Sequence, residues 1–247
     1  NLRHSLAHLL AAAVLEYYPD TKVTLGPPIE DGFYYDFDFS SPISDKDLSK
    51  IEKKMRELLK TWKEFAHEEK TGEEAKKYFA DNPYKQEIIN EIVEKGEKIT
   101  LYTCGNFTDL CRGGHLENPS KEIDFNSFKL DRIAGAYWRG NEKNKMLTRI
   151  YGLAFENKEK LEAYIKQREE AEKRDHKKLG KTLGLFTVSD LVGKGLPMYL
   201  PKGNIIKTEL ENFIRKEKEK LGYSFVTIPH IAKKELYIRS GHMGKYD

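Results

Sequence analysis

Residues 129–152 read KLDRIAGAYWRGNEKNKMLTRIYG and close a region, 99–152, in which β-branched or aromatic residues alternate with polar ones and glycine recurs. That texture predicts strands and turns. Working outward, residues 72–95 are rich in helix formers and are interrupted at Asn82-Pro83. Ser44 with Asp47 three positions on forms a capping box, and Leu48, Ile51, Met55, Leu58, Leu59, Trp62 and Phe65 make one apolar face behind it. In residues 23–39, turns at Gly26-Pro27-Pro28 and Asp31-Gly32 precede a strand with Tyr35, Phe37 and Phe39 on one side and Asp36 and Asp38 on the other. Residues 4–18 repeat Leu6, Leu9, Leu10, Ala13, Val14 and Tyr17 at helical spacing and stop at Pro19.

Beyond Gly152 the pattern changes. Residues 156–183 are densely charged, with sparse apolar positions at Leu161, Tyr164, Ile165, Ala171 and Leu179, and predict one long surface helix. Gly180 and Gly184 mark its end. A strand at 198–200, a helix at 205–221 and a strand at 225–228 follow. The expected organisation is an α+β chain with a first domain at 1–155, a linker helix at 156–183 and a second domain at 184–247.

The 247 residues are 38% hydrophobic and 34% charged, with a net charge of +3, too balanced to argue by itself for a nucleic-acid or membrane partner. Two cysteines, Cys104 and Cys111, do not make a disulfide scaffold, and a reduced, cytoplasmic setting is expected. No apolar run approaches the roughly 18 residues that span a bilayer. The chain opens on Asn-Leu-Arg-His without a methionine or a signal-peptide pattern and stops at Tyr246-Asp247, so it is expected to be a piece of a longer protein.

Three groups of residues carry chemistry. His4 and His8 are four apart on the first helix and share a face. Cys111 and His115 repeat that offset in DLCRGGH, with Asp109 just upstream and Gly113-Gly114 letting backbone pass close to a neighbour. Such a set suits a metal bound through nitrogen and sulfur, or a water activated by an imidazole. Each element alone has a plainer reading: a solvated histidine pair, a packed cysteine, a turn-capping aspartate. The second group is Tyr137-Trp138-Arg139 between glycines, aromatic faces for an unpaired base beside a cation for phosphate, or strand anchors. Lys143, Lys145 and Arg149 extend its charge, and Lys173–Lys178 form a basic run of the kind that usually marks a wet helix face. The third is LGYSFVTIP at 221–229 after a long helix.

RHSLAHLLAAAV, YTCGNFTDLCRGGH and KLDRIAGAYWRGNEKNKMLTRIYG, in that order, resemble the second N-terminal, editing domain of bacterial-type threonyl-tRNA synthetases, which is related to the editing domains of alanyl-tRNA synthetases. The resemblance covers nearly the whole chain. LGYSFVTIP, with GLPMYLPKG before it and LYIRSGHMGKYD after it, resembles motif 1 of the class II catalytic domain in the same family. It implies an antiparallel sheet with helices in the editing domain and only the motif 1 part of the antiparallel-sheet catalytic domain here.

The implied reaction is hydrolysis of seryl-tRNA that carries the threonine anticodon. By similarity His4 positions or activates water, Lys85 lies near the scissile ester, and His8, Asp109, Cys111 and His115 line the pocket. Alanyl-type editing domains hold zinc with the two histidines, the cysteine and the last histidine. The threonyl type implies a site without metal. Gly114 stands where proline is common, and Tyr237 and Met243 where tryptophans are. The longer protein would be a ligase using ATP, magnesium and zinc, paired as a homodimer through motif 1, with tRNA(Thr) as partner. This chain lacks motifs 2 and 3 and is not expected to aminoacylate. The competing readings are a free-standing zinc-dependent deacylase of the alanyl type and a non-enzymatic RNA-binding module.

Overall fold

A computed structural model of the protein describes residues 1–193 and 195–244. Lys245–Asp247, the end of the motif-bearing stretch from Leu236, lie outside the described residues. The chain divides into two compact units, Asn1–Glu169 and Glu170–Asp247.

The first unit contains α1 (Leu2–Tyr17), β1 (Lys22–Val23), β2 (Pro28–Ile29), β3 (Gly32–Asp38), α2 (Asp45–Leu59), β4 (Ala66–Lys70), α3 (Gly72–Tyr78), α4 (Pro83–Glu94), β5 (Ile99–Cys104), β6 (Phe107–Leu110), α5 (Pro119–Glu122), β7 (Phe128–Tyr137) and β8 (Met146–Ala154), and it holds most of α6 (Lys158–Lys173). Two antiparallel sheets result. One runs β1-β3-β8-β7 with β2 beside the other end of β3; the other runs β4-β5-β6.

Helix α1 is apolar on most of its circumference, and every residue from Ser5 to Val14 is buried, Ser5 and His8 included. It packs on β3 and on α2. Tyr35 and Phe37 enter the same core from β3, and Leu48, Ile51, Met55, Leu59 and Trp62 enter from the α2 side. The Ser44–Asp47 capping box starts α2 as expected. Strands β3 and β8 approach so closely at Gly32 that a Cβ there would lie 1.9 Å from the Gly152 carbonyl oxygen. Asp36, on the face read as polar, is buried against Arg149 of β8, which grips it with Nε at 2.6 Å and a second nitrogen at 2.8 Å. The break read at Asn82-Pro83 separates α3 from α4. Asn82 caps α4 by accepting the Lys85 N–H (3.2 Å) while its amide donates to the Val23 carbonyl (2.8 Å).

The second unit contains α7 (His176–Thr182), β9 (Phe186–Thr187), β10 (Met198–Tyr199), α8 (Pro201–Lys220) and α9 (Lys234–Arg239), with β9 and β10 paired antiparallel. Two expectations change. The stretch 156–183 is two helices, because the Asp175 carboxylate accepts the N–H groups of Lys177 and Lys178 and starts α7 afresh after Arg174. Residues 225–228 form no strand: among the described residues no strand pairs with them, and Phe225, Val226 and Ile228 stand exposed.

Candidate functional site

His4 and His8 project from α1 into a cleft of about 460 Å³ in the first unit. Their Nε2 atoms are 3.2 Å apart. Strand β6 delivers Asp109 and then a tight segment, 111–115. There Gly113 and Gly114 hold φ of 89° and 88°, a region open to glycine but closed to proline, whose ring fixes φ near −65°. The turn brings the Gly113 N–H to Cys111 Sγ (3.3 Å), and the next residue, Leu116, donates its N–H to Ser5 Oγ on α1 (3.0 Å). Cys111 Sγ then lies 3.4 Å from His4 Nε2 and 3.5 Å from His115 Nε2. The His115 ring is held by Phe65, stacked at 4.0 Å, and by His4 at 4.4 Å.

Beside this group sits a buried ionic one. Lys85, on the first turn of α4, forms an ion pair with Asp109, and both side chains are almost fully enclosed. Asp109 also accepts from Tyr35 Oη at 2.5 Å and from the Leu110 N–H at 2.8 Å. Strand alternation places Tyr35 on the core face but does not show that its hydroxyl meets a carboxylate 74 positions away. Burial, with the Asp109 charge second, pushes the Tyr35 hydroxyl well above its ordinary range and keeps it a donor.

Burial lowers His4 and takes His8 well below its usual value, while His115 is pushed down to about 3 by burial and then by its histidine neighbours. Burial also pushes the Cys111 thiol up to about 11. At neutral pH the cluster is therefore three neutral imidazoles and a protonated thiol. Each of these groups can donate or accept a hydrogen bond at the cleft wall.

The structure thus brings His4, His8, Cys111 and His115 together with Lys85 and Asp109 on one side. Tyr137, Trp138 and Arg139 border the same cleft, but differently from their reading as a group. Tyr137 is 40% exposed, whereas Trp138 is 6% exposed and packs edge-on against Tyr84 at 5.0 Å. Arg139 pairs with Glu87 and Glu91. Lys145 and Arg149 are likewise compensated, by Asp38 and Asp36.

One ligand atom from each of His4, His8, Cys111 and His115 lies within 4.8 Å of the others. A tetrahedral zinc site has edges of about 3.3 Å between nitrogens and about 3.6 Å between nitrogen and sulfur. Three of the six donor separations, 3.2, 3.4 and 3.5 Å, fit such edges. The outer shell fits less fully. A metal-bound imidazole normally donates its second N–H, yet among the described residues the buried Nδ1 atoms of His8 and His115 have no hydrogen-bond partner, His8 Nδ1 being 3.9 Å from Asp109.

Residues 99–151 match the family model described as the threonyl and alanyl tRNA synthetase second additional domain, so the first unit contains an editing-type domain of the aminoacyl-tRNA synthetases. Over 244 residues the chain is 52% identical to the threonine–tRNA ligase of Borrelia recurrentis (strain A1) and 49% identical to that of Borreliella burgdorferi (strain ATCC 35210 / DSM 4680 / CIP 102532 / B31). Those matches cover 99% of this chain and 42% of each relative. The threonine–tRNA ligase of Rubrobacter xylanophilus is 47% identical over 246 residues, 99% of this chain and 38% of that protein. The chain belongs to the threonine–tRNA ligase family and spans about two-fifths of the length of these curated relatives.

Proposed function

We propose that the cleft of the first unit hydrolyses the ester of seryl-tRNA carrying the threonine anticodon. Serine lacks one methyl group of threonine, and that difference is worth only about 1–3 kcal/mol in a binding pocket, too little to exclude serine from a ligase. A second site that removes the wrong product supplies the remaining discrimination. The observation that carries the reading is the convergence of His4, His8, Cys111 and His115 in one cluster with the enclosed Lys85–Asp109 pair against it.

In this reading the neutral His4 imidazole, the less buried of the two on α1, holds or deprotonates the attacking water. Lys85, fixed by Asp109, supplies positive charge toward the oxygen that becomes negative. His8, Asp109, Cys111 and His115 shape the pocket for the seryl group and terminal ribose. Tyr137 offers the stacking face for an unpaired base.

Residues 1–155 form the editing domain, 156–183 the connecting segment and 184–247 the opening of the class II catalytic domain. In the longer protein tRNA(Thr) is the partner, ATP, magnesium and zinc serve the ligase reaction in the cytoplasm, and the exposed apolar side chains around motif 1, Leu210, Phe213, Ile214 and Phe225, fit a homodimer interface. No helix among the described residues is long and apolar enough to cross a membrane.

The test is deacylation by the 247-residue chain. Ser-tRNA(Thr) is expected to be hydrolysed and Thr-tRNA(Thr) spared, with no ATP-dependent threonylation. His4→Ala is expected to slow hydrolysis about 10²-fold if the imidazole acts as a general base. Equal hydrolysis of both esters would end the editing reading.

The clustering of the four donors, three of whose six separations match tetrahedral edges, favours a second reading, zinc held by His4, His8, Cys111 and His115, where the ion would supply Lewis acidity. Four protein ligands close a tetrahedral site and leave no position for water, which is why hydrolysis without metal comes first. Metal analysis of the purified chain and deacylation after chelation decide between them: survival of the rate supports the first reading, and stoichiometric zinc with loss on chelation supports the second.

A further inference from the structure

The tip of the β7–β8 hairpin is held in a backbone conformation that its sequence does not favour. Arg139 has φ 59° and ψ 19° and is the single non-glycine residue with positive φ among the described residues. An arginine in the left-handed region persists where its surroundings hold it there. Here they do. Arg139 Nε donates to Glu87 Oε1 at 3.2 Å, a terminal nitrogen pairs with Glu91 one turn further along α4, and the guanidinium lies 4.9 Å over the Trp138 ring. The other Glu87 oxygen accepts from Trp138 Nε1 at 2.9 Å. Glu87 therefore holds two consecutive residues of the hairpin tip.

That grip reaches the ionic pair of the cleft. Trp138 packs on Tyr84, whose hydroxyl donates to Asp38 of β3 at 2.8 Å, and the residue after Tyr84 is Lys85. These contacts tie the hairpin tip to the first turns of α4, the stretch that carries Lys85.

We infer that Glu87 is a positioning residue, a latch that fixes Trp138 and Arg139 so that α4 presents Lys85 at the cleft, and that Arg139 spends its charge on this latch instead of on an RNA phosphate. The inference rests on the hydrolytic reading of the cleft. It separates two roles that an arginine beside an aromatic can have. A phosphate contact acts on binding, whereas a latch acts on the geometry of the reacting centre.

The test uses Glu87→Ala, Glu87→Gln, Arg139→Ala and the Glu87→Ala/Arg139→Ala double variant of the full chain, each assayed for kcat and KM on Ser-tRNA(Thr). Glu87→Ala is expected to lower kcat about tenfold or more, the scale of a slightly misplaced reacting group, with KM within about twofold. Glu87→Gln should recover part of that loss, because its carbonyl still accepts from Trp138. The double variant should be no worse than Glu87→Ala alone, since both changes open one latch. A rise in KM for Arg139→Ala that persists in the Glu87→Ala background would overturn the inference in favour of a phosphate contact, and so would an unchanged kcat in Glu87→Ala. A readout without substrate keeps it separate from the hydrolytic reading. The Trp138 indole N–H, one of two in the protein, should shift and exchange faster with solvent in Glu87→Ala. An unmoved indole signal refutes the latch whatever the activity. An intact indole response in a chain that spares Ser-tRNA refutes the hydrolytic reading, and with it the assigned effect on kcat.

Discussion

Replacing Lys85 by methionine keeps the aliphatic stem and removes the ammonium from a site where its side chain is 1% exposed. Asp109, 4% exposed, then keeps two donors, Tyr35 Oη and the Leu110 N–H, but has no cation. Breaking a buried ion pair from one side costs about 3–5 kcal/mol, because the remaining charge stays desolvated. The two surviving hydrogen bonds put the expected loss at the lower end, about 3 kcal/mol. The assay is urea unfolding followed by tryptophan emission. The two tryptophans of the chain, Trp62 and Trp138, both lie in the first unit, so the signal reports that unit alone. With a urea slope of about 2 kcal/mol/M, the midpoint should fall by about 1.5 M. Adding Asp109→Asn removes the second charge and should restore more than half of the loss, a coupling that marks a pair and not two independent contacts. A midpoint lowered by less than about 0.3 M in Lys85→Met, or a double variant as unstable as the sum of the two singles, would refute the reasoning.

His4, His8 and His115 bind protons more weakly folded than unfolded. The stability they contribute is therefore complete above the unfolded value of 6.5 and is lost as pH falls toward the folded value of about 3 at His115. Urea midpoints at pH 7.5 and 5.5 should drop in that order, less steeply in His115→Gln; a rise toward acid would contradict the burial argument. The two thiols, both pushed up to about 11, should alkylate with iodoacetamide at pH 8 about a hundredfold more slowly than a free cysteine. Mass spectrometry that found Cys111 modified as fast as glutathione would show an exposed or activated thiolate instead. Gly113→Ala combines a φ of 89° with a Cβ 2.5 Å from Tyr102 Oη, so the 111–115 turn should shift and deacylation fall several-fold, about as expected for a displaced pocket wall. A variant of wild-type rate would mean that the turn does not set His115.

The elements that could be read from the sequence are those whose signals are local. The apolar period of α1, the Ser44–Asp47 box and the Asn82-Pro83 break are written in a few adjacent residues and recur in the fold. The offsets that pair His4 with His8 and Cys111 with His115 were equally legible. Their meeting across 107 positions could be suggested by the paired offsets but not placed by them, because it depends on β6 lying against α1. Tyr35, Asp36 and Glu87 were hidden for the same reason: each is defined by a partner on another element, Asp109, Arg149 and Trp138. The helix over 156–183 was overextended because Asp175, an ordinary surface residue by composition, competes for backbone N–H groups and restarts the helix. Phe225–Ile228 has strand propensity without a strand to pair with among the described residues, and propensity alone does not form a ladder.

Helix α1 is enclosed along ten successive residues, and His8 sits in the middle of that run. In the hydrolytic reading proposed above, scaffold and reagent are therefore the same object, and natural variation or laboratory engineering meets an uneven landscape. A change on α1 is tried first by the core and only then by the substrate, so an altered preference for the bound amino acid has little room to begin there. The 111–115 turn and the β7–β8 tip border the same cleft with half-exposed or exposed residues, and there the first steps toward a new specificity can be taken without unfolding the unit that hosts them.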